Sequence, residues 1–434
     1  MARTRPVNVA VVKMWGHEVG AVSWNKDRGF SVFEYDPSFI SKGLDIAPLM
    51  MPLRDGTFSF PTLKTETYHG LPGLLSDSLP DRYGNRLIDL WLARHGRSKE
   101  NFSPVERLCY MGTRGMGALE FEPSTGPRNS KSEPLEIKTL TGLAADILKE
   151  RSEWSVKIKN SKSKALETII RIGTSAGGNR AKAVIAWDPN KAEVRSGQVK
   201  APVGFQPWIL KFDGVNDSSL GDLKGFGRVE YAYYKMAIKA GLEMSECRLF
   251  EEGGRAHFMT RRFDRNSIGN KIHVQSLCAI NHYDFNASGE YGYEQALSTI
   301  QQLNLGHEAL RQMYRRMVFN FVARNQDDHT RNIEFLMDQN GKWSLSPAFD
   351  VVWAYNESGK WTNRHQMSIN GKTDEFEASD LKSVALNYDI KKPGDIIAEI
   401  VEVVSRWPKY ALEAGVETDL SAQIAKTHRL KFIN

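Results

Sequence analysis

Leu310, Met313, Tyr314, Met317, Val318, Phe321 and Val322 recur at intervals of three and four residues, and a polar run follows them almost at once: Asn325-Gln326-Asp327-Asp328-His329-Thr330-Arg331-Asn332. The spacing predicts one face of a long buried helix. A chain that buries such a helix delivers two carboxylates, an imidazole and three amides to a single loop at its end. Asp350 stands eighteen residues beyond Asn332, in Leu345-Ser346-Pro347-Ala348-Phe349-Asp350. Between them, Ile333–Met337 and Trp343–Leu345 read as a hairpin that turns at Asn340-Gly341.

Phosphoryl transfer needs this arrangement. A carboxylate must orient the attacking hydroxyl and accept its proton, and oxygen ligands must hold Mg²⁺ on the nucleotide phosphates. Asp327 fits the first role, and Asn332 and Asp350 the second, all three being hard oxygen donors. Taken alone, the loop also fits a polar cap on a helix end, or a Zn²⁺ or Mn²⁺ hydrolase centre, since His and Asp ligate those metals. The metal reading needs further histidines nearby, and none of the ten forms an HxH or HxxxH pair with His329. His329 is expected to pack inside the loop and bond backbone or a carboxylate.

A second signal is Gly173-Thr174-Ser175-Ala176-Gly177-Gly178-Asn179-Arg180-Ala181-Lys182, ahead of a strand expected over Ala183–Trp187. Glycines let backbone N–H groups approach phosphate oxygens and form an anion nest. The Walker spacing GxxxxGK[ST] is absent, and a Gly-Gly turn by itself is equally a plain hairpin. A third signal is Lys211, isolated in the apolar strand Trp208–Phe212. A charge in such a strand is costly unless paired, and nucleotide phosphates offer the pairing. Glu230 opens the next helix, expected over Val229–Ala240, and stands where it can hold the ammonium. The bland alternative is an edge strand with Lys211 in water and Glu230 as an acid favoured by the helix dipole. A Gly-rich turn, a strand Lys, a helix Glu and an Asp…Asn…Asp set, in that order, form the protein-kinase series.

The remaining sequence bounds the setting. A length of 434 residues predicts two or three domains or one large two-lobed unit, and 41% hydrophobic content supplies a sizeable core. The net charge of +6 is a mild excess, suited to a protein that meets phosphates or nucleic acid, and no dense Lys/Arg arm is present. Cys109, Cys247 and Cys278 are far apart with no CxxC spacing, which points to buried reduced thiols and a cytoplasmic setting. The N-terminal residues lack the apolar core of a signal peptide, and no 18-residue apolar run exists to span a membrane. Val7 to Met14, Glu18 to Trp24 and Gly29 to Tyr35 read as strands, with a turn at Gly16-His17. Residues 125–134 read as a linker, a helix is expected from Leu140 to Arg151, and Arg248–Glu251 with His257–Arg262 read as a hairpin around Gly253-Gly254. Helix resumes from Asp395 to Leu430.

These motifs together resemble the HipA family of bacterial toxin kinases. Gly173–Lys182 resembles its Gly-rich loop, Arg262-Phe263-Asp264-Arg265 its RFDR strand, and Asn325–Asn332 with Ser346–Asp350 its catalytic and metal motifs. Leu71-Pro72-Gly73 through Leu87 resembles its N-terminal LPD segment. The catalytic loop is also similar to that of phosphatidylinositol 3/4-kinases. The resemblance implies an α+β, two-lobed protein-kinase-like fold, with a small β-rich N-terminal domain over 1–124, an N-lobe over 135–265 and a helical C-lobe over 266–434. It implies a serine/threonine protein kinase using ATP and Mg²⁺. Asp327 would be the catalytic base and Asn332 and Asp350 the Mg²⁺ ligands. Lys211, Glu230, Gly177, Gly178 and His329 would lie around the nucleotide. Arg261, Arg262 and Phe263 would form a hinge whose free strand-edge backbone meets adenine. Thr174 or Ser175 would be an autophosphorylation site whose added charge repels the phosphates the loop should hold. The implied partners are a HipB-like helix-turn-helix antitoxin, operator DNA through that complex, and a protein substrate of the aminoacyl-tRNA synthetase class, with no membrane. Ala181-Lys182 replaces the commoner Pro-Lys at the loop's end. Two other functions remain open from sequence, a kinase-shaped corepressor with little catalysis and a small-molecule or lipid kinase of the same fold.

Overall fold

The computed structural model describes residues 6–127, 131–148, 164–174, 180–191, 193–199, 202–215 and 224–432. The chain divides into two compact units. The first holds Met1–Lys224, Phe250–Val274 and Met337–Gly341, and the second Gly225–Leu249, Gln275–Leu336 and Lys342–Asn434.

In the first unit, strands β1 (Val9–Met14), β2 (His17–Asn25), β3 (Phe30–Tyr35), β4 (Thr57–Phe58) and β5 (Leu119–Glu122) form an antiparallel sheet of order β4-β3-β2-β1-β5. Ala10, Val12 and Met14 alternate inward, as a half-buried strand requires. Trp15 and Gly16 both take positive φ and make the first turn, one residue earlier than the sequence reading placed it. Gly20 is needed where β2 crosses β3, since a Cβ there would lie 2.1 Å from the Glu34 carbonyl oxygen.

The unit's second sheet runs β7-β6-β8-β10-β9, from β6 (Lys182–Asp188), β7 (Glu193–Ser196), β8 (Gln206–Lys211), β9 (Cys247–Glu252) and β10 (Arg255–Arg261). Strand β6 is buried along nearly its whole length. The helices Ile137–Leu148 and Lys164–Gly173 cover this sheet, with Leu140, Ala144, Ile169, Ile172, Ile185 and Trp208 in one core. Tyr83 and Leu87, from the helix Arg82–Arg94, enter the same core. That shared core packs part of the 1–124 region against the second sheet within one compact unit. Residues 131–135 are also less of a linker than expected. Leu135 N–H donates to the Val194 carbonyl and Ser196 N–H to that of Glu133, so the segment is stitched to the edge of β7. The RFDR segment is anchored here too. Asp264 is fully buried and accepts two hydrogen bonds from Arg262 at 2.7 and 2.8 Å, one from Arg265 at 2.7 Å and one from the Gly117 N–H at 2.8 Å.

In the second unit, the expected long helix spans His307–Val322 and is enclosed on nearly every side; even Gln312, Arg315 and Arg316 are buried. Arg315 is satisfied by the Ala240 carbonyl and Glu399, each at 2.7 Å. Arg324, at φ 56°, reverses the chain, and Asn325 N–H reaches back to the Asn320 carbonyl. Strand β12 (Glu334–Met337) follows, flanked by β11 (His273–Ser276) and β13 (Trp343–Leu345), so the hairpin expected after the loop is present. The helices Phe226–Lys239, Pro393–Ser405, Trp407–Ala414 and Thr418–Thr427 complete the helical region. The fold is α+β, with a β-rich N-terminal domain and a helical C-terminal region. Among the described residues, no helix is long and apolar enough to cross a membrane.

Candidate active site

The end of the buried helix throws its polar loop outward from a rigid base. Gln326 N–H donates to the Ala354 carbonyl and Ala354 N–H to that of Arg324. Thr330 Oγ1 donates to the Tyr283 carbonyl, and a single 3₁₀ turn over Thr330–Asn332 closes the loop.

Within this frame the two adjacent carboxylates have opposite settings. The Asp328 side chain is 1% exposed, whereas that of Asp327 is 45% exposed. Asp328 Oδ1 accepts the Gln366 backbone N–H at 2.8 Å, and Oδ2 accepts Tyr293 Oη at 2.9 Å and His365 Nδ1 at 2.7 Å. Burial opposes its charge, but the His365 imidazole and these donors outweigh burial and hold the carboxyl below the usual carboxylate range. Tyr293 is pushed well above its ordinary value by burial and by the neighbouring Asp328, so it remains a donor. Asp327 Oδ1 accepts Trp361 Nε1–H at 2.5 Å and lies 3.8 Å from His329 Nε2. Asn332 Nδ2 donates to the Asp327 carbonyl at 2.8 Å, which commits the amide nitrogen and leaves Oδ1 as the end able to take a cation. The His329 ring packs against Phe285, and its Nδ1 is buried without a hydrogen-bond partner among the described residues.

Asp350 is half-buried, at φ 50°. Its segment is fixed one turn earlier, where Ala348 N–H donates to the Glu243 carbonyl at 2.7 Å. A non-glycine residue held in the left-handed region costs roughly 1–3 kcal/mol, and such strain gathers at functional sites. A small cleft, lined by Asn332, Asp328, His329, Arg316 and Phe349 among others, lies beside the loop. Among the described residues no group of three His, Cys, Asp or Glu side chains is arranged to hold a metal. A kinase-type Mg²⁺ asks less of the protein, one or two side-chain oxygens with phosphates and water supplying the rest.

The other sequence-derived residues fall as follows. Lys211 is on β8, the middle strand of its sheet, so the edge-strand alternative fails. It pairs in register with Lys182 on β6 and Phe258 on β10, and its Nζ lies 5.6 Å from the Phe258 ring centre. Glu230, in the second unit, is 2% exposed and sits in the second turn of its helix, which begins at Phe226; it is a buried acid and not an exposed terminal one. The structure bears on the hinge expectation at one backbone group, the Arg262 N–H. Arg261 pairs with Trp208, β10 lies between β8 and β9, and the Arg262 backbone N–H already donates to the Pro207 carbonyl. The Arg262 side chain is spent on Asp264, and Phe263 is half-buried. Thr174 is fully buried, its hydroxyl donating to the Ile170 carbonyl at 3.2 Å with Arg114 Nη1 3.4 Å away. Ser175, Gly177 and Gly178 lie outside the described residues.

Sequence reasoning singled out neither Asp328 nor Tyr293, Trp361, His365 and Arg429. The Asp-Asp doublet was a usable signal, since two neighbouring acids rarely share one setting. Nothing in the chain order points to His365 or Arg429.

Comparison with known proteins decides the family. Residues 174–408, more than half of the chain, match the profile of the HipA-like C-terminal domain, and residues 10–122 match the HipA N-terminal domain. The chain belongs to the HipA family. This HipA-family chain is similar to HipA of Shewanella oneidensis MR-1, solved with HipB and its operator DNA, at a TM-score of 0.66 and 17% identity, covering 96% of this chain and 94% of that one. At that identity the likeness speaks for the fold. The Helicobacter pylori proinflammatory kinase CtkA superposes at a TM-score of 0.34 and 13% identity, over 52% of this chain and 89% of its own. A Haemophilus influenzae protein provisionally described as a kinase is 29% identical over 179 residues, 34% of this chain. The HipA-family chain spans about half the length of that relative, 51%.

Proposed function

We propose that this protein is an ATP- and Mg²⁺-dependent serine/threonine protein kinase of the HipA type. The observation that carries the reading is the fixed unit formed by Asp327 and Asn332. An exposed carboxylate stands on a loop whose backbone carbonyl is tied to the amide five residues on, so base and cation ligand move as one piece. Asp327 Oδ2, opposite the oxygen that takes Trp361, receives the proton of the attacking hydroxyl. Asn332 Oδ1 and Asp350 would hold Mg²⁺, and Lys211 would meet the nucleotide phosphates. When bound, the ion neutralises charge on the transferring phosphoryl group.

Self-inactivation by phosphorylation at Thr174 or Ser175 belongs to the same reading. At Thr174 it requires the hydroxyl to leave a site closed to solvent, so modification and loop rearrangement are one event. The partners that follow are a HipB-like antitoxin and, through it, operator DNA, with a protein acceptor of the aminoacyl-tRNA synthetase class.

The test is phosphate transfer by the purified full chain with Mg-ATP, alone and with cell extract, read by mass spectrometry. Asp327→Asn is expected to lower transfer at least ~10²-fold, the lower range for losing a general base. Undiminished transfer by that variant removes Asp327 from the mechanism, and no transfer by the unaltered chain under any of these conditions rejects the kinase reading.

A further inference from the structure

The buried Asp328 is joined to a chain of polar groups that ends near the C-terminus. Arg429 Nη1 donates to His365 Nε2 at 2.9 Å, and His365 Nδ1 lies 2.7 Å from Asp328 Oδ2. An arginine is a donor only. Its N–H therefore requires a lone pair on Nε2 and directs the ring proton to Nδ1, where the Asp328 carboxylate accepts it. The arginine is itself anchored: its backbone N–H donates to the Val322 carbonyl, its side chain to the Phe321 carbonyl at 3.1 Å and to Asp374 at 2.8 Å, and the guanidinium lies 4.7 Å from the Phe321 ring centre. Val322 and Phe321 close the helix that launches the catalytic loop. The far end of the chain and the start of the loop are thus held by the same residue.

We propose that Asp328, read through His365 and Arg429, is the positioning residue of the catalytic loop, and that the direction of this hydrogen-bond chain is what turns Asp327 outward to the acceptor hydroxyl. The inference rests on the kinase reading of Asp327. The geometry behind it is that neighbouring side chains leave the backbone in different directions: Asp328 is locked inward at three donors while Asp327 stands 45% exposed. Neither Asp328 nor His365 touches substrate in this role. A misplacement of the base by about 1 Å is enough to cost on the order of 10²-fold in rate.

The decisive property is polarity. In Asp328→Asn the amide has one acceptor and one donor end. If its oxygen keeps the Gln366 N–H, its NH₂ faces His365 Nδ1, the ring must move its proton to Nε2, and that proton then opposes the Arg429 N–H. If the amide turns over, its NH₂ opposes the Gln366 N–H. Each arrangement leaves two donors face to face. Removing the arginine donor as well, in Asp328→Asn with Arg429→Leu, relieves the conflict at Nε2.

The experiment uses the full chain and four proteins: unaltered, Asp328→Asn, Arg429→Leu and the pair. We expect Asp328→Asn alone to lower kcat by about 10- to 100-fold with KM for ATP changed less than about 3-fold. In the Arg429→Leu background the same substitution is expected to cost less than about 3-fold, a strong departure from additivity. Equal penalties in both backgrounds, or a loss carried by KM, overturn the proposal. Two readouts are independent of catalysis. Long-range ¹H–¹⁵N spectra are expected to show His365 protonated at Nδ1 in the unaltered chain and at Nε2 in Asp328→Asn, and hydrogen exchange is expected to speed up at residues 326–332 in that variant alone. An Nε2 proton in the unaltered chain, or unchanged exchange in the loop, overturns the proposal whether or not the protein phosphorylates anything. Absence of phosphate transfer from the unaltered chain counts against the proposed function and leaves those two readouts to decide this one.

Discussion

Replacing Asp264 with asparagine tests whether the RFDR segment is a structural keystone. One fully buried carboxylate serves two guanidinium groups and the Gly117 N–H, with Arg262 at 2% side-chain exposure and Arg265 at 11%. The asparagine keeps the volume and one acceptor oxygen but leaves two buried cations adjacent without a counter-charge. Breaking a buried pair from one side costs about 3–5 kcal/mol. At roughly 2–4 °C per kcal/mol for a unit of this size, the first unit should melt about 6–20 °C lower. The two arginines hold the Asp264 carboxyl well below the usual carboxylate range despite its burial. Its contribution is therefore complete above the unfolded carboxyl value near 4 and is lost as pH falls through the lower folded value. Differential scanning calorimetry of both proteins from pH 7 to pH 3 should show a gap in melting temperature that narrows only at the acid end. A gap below about 2 °C at pH 7, or one that widens with acid, would refute the argument.

Trp361→Phe keeps a ring beside His329 but removes the N–H held by Asp327 Oδ1. A hydrogen bond to a charged group is worth about 1.5–3 kcal/mol, so phosphate transfer should fall at least ~10-fold with folding intact by circular dichroism; an unchanged rate would show that Asp327 needs no such support. Burial pushes His257, His273, His282 and His428 down to about 4. Unfolding then takes up protons below about pH 6.5, so stability is full above that pH and declines towards pH 4, by up to about 1.4 kcal/mol per histidine per pH unit. Urea titrations at pH 7, 6 and 5 measure it, and His257→Gln should flatten the slope, since His257 Nδ1 accepts the Asp213 N–H and needs no proton there.

The elements were legible wherever one physical rule acted locally. Alternation gave β1 to β3, a three-four repeat gave His307–Val322, and Asn340-Gly341 gave the β12–β13 hairpin. The loop that carries Asp327 and Asn332 was legible as the polar run that follows a buried helix. The rest depends on partners far apart in the chain. Whether Asp327 or Asp328 faces inward is decided by His365, 37 residues on, and His365 by Arg429, a further 64 away. Arg262 was read as part of a hinge because a lone motif does not reveal that its charge is consumed by a neighbour two residues along. The tie between 131–135 and β7 was equally hidden, since a Ser-, Pro- and Gly-bearing stretch obeys linker statistics until an unpaired strand edge meets it.

The path of the backbone has a practical outcome for anyone who makes this protein. It passes from one compact unit to the other at five points, the last between Gly341 and Lys342. A ribosome must therefore have released most of the polypeptide before either unit owns all its pieces. Truncated clones ending at 224 or 274 would lack strands or helices that their own interior requires, so work on either half is best done by substitution within the whole chain.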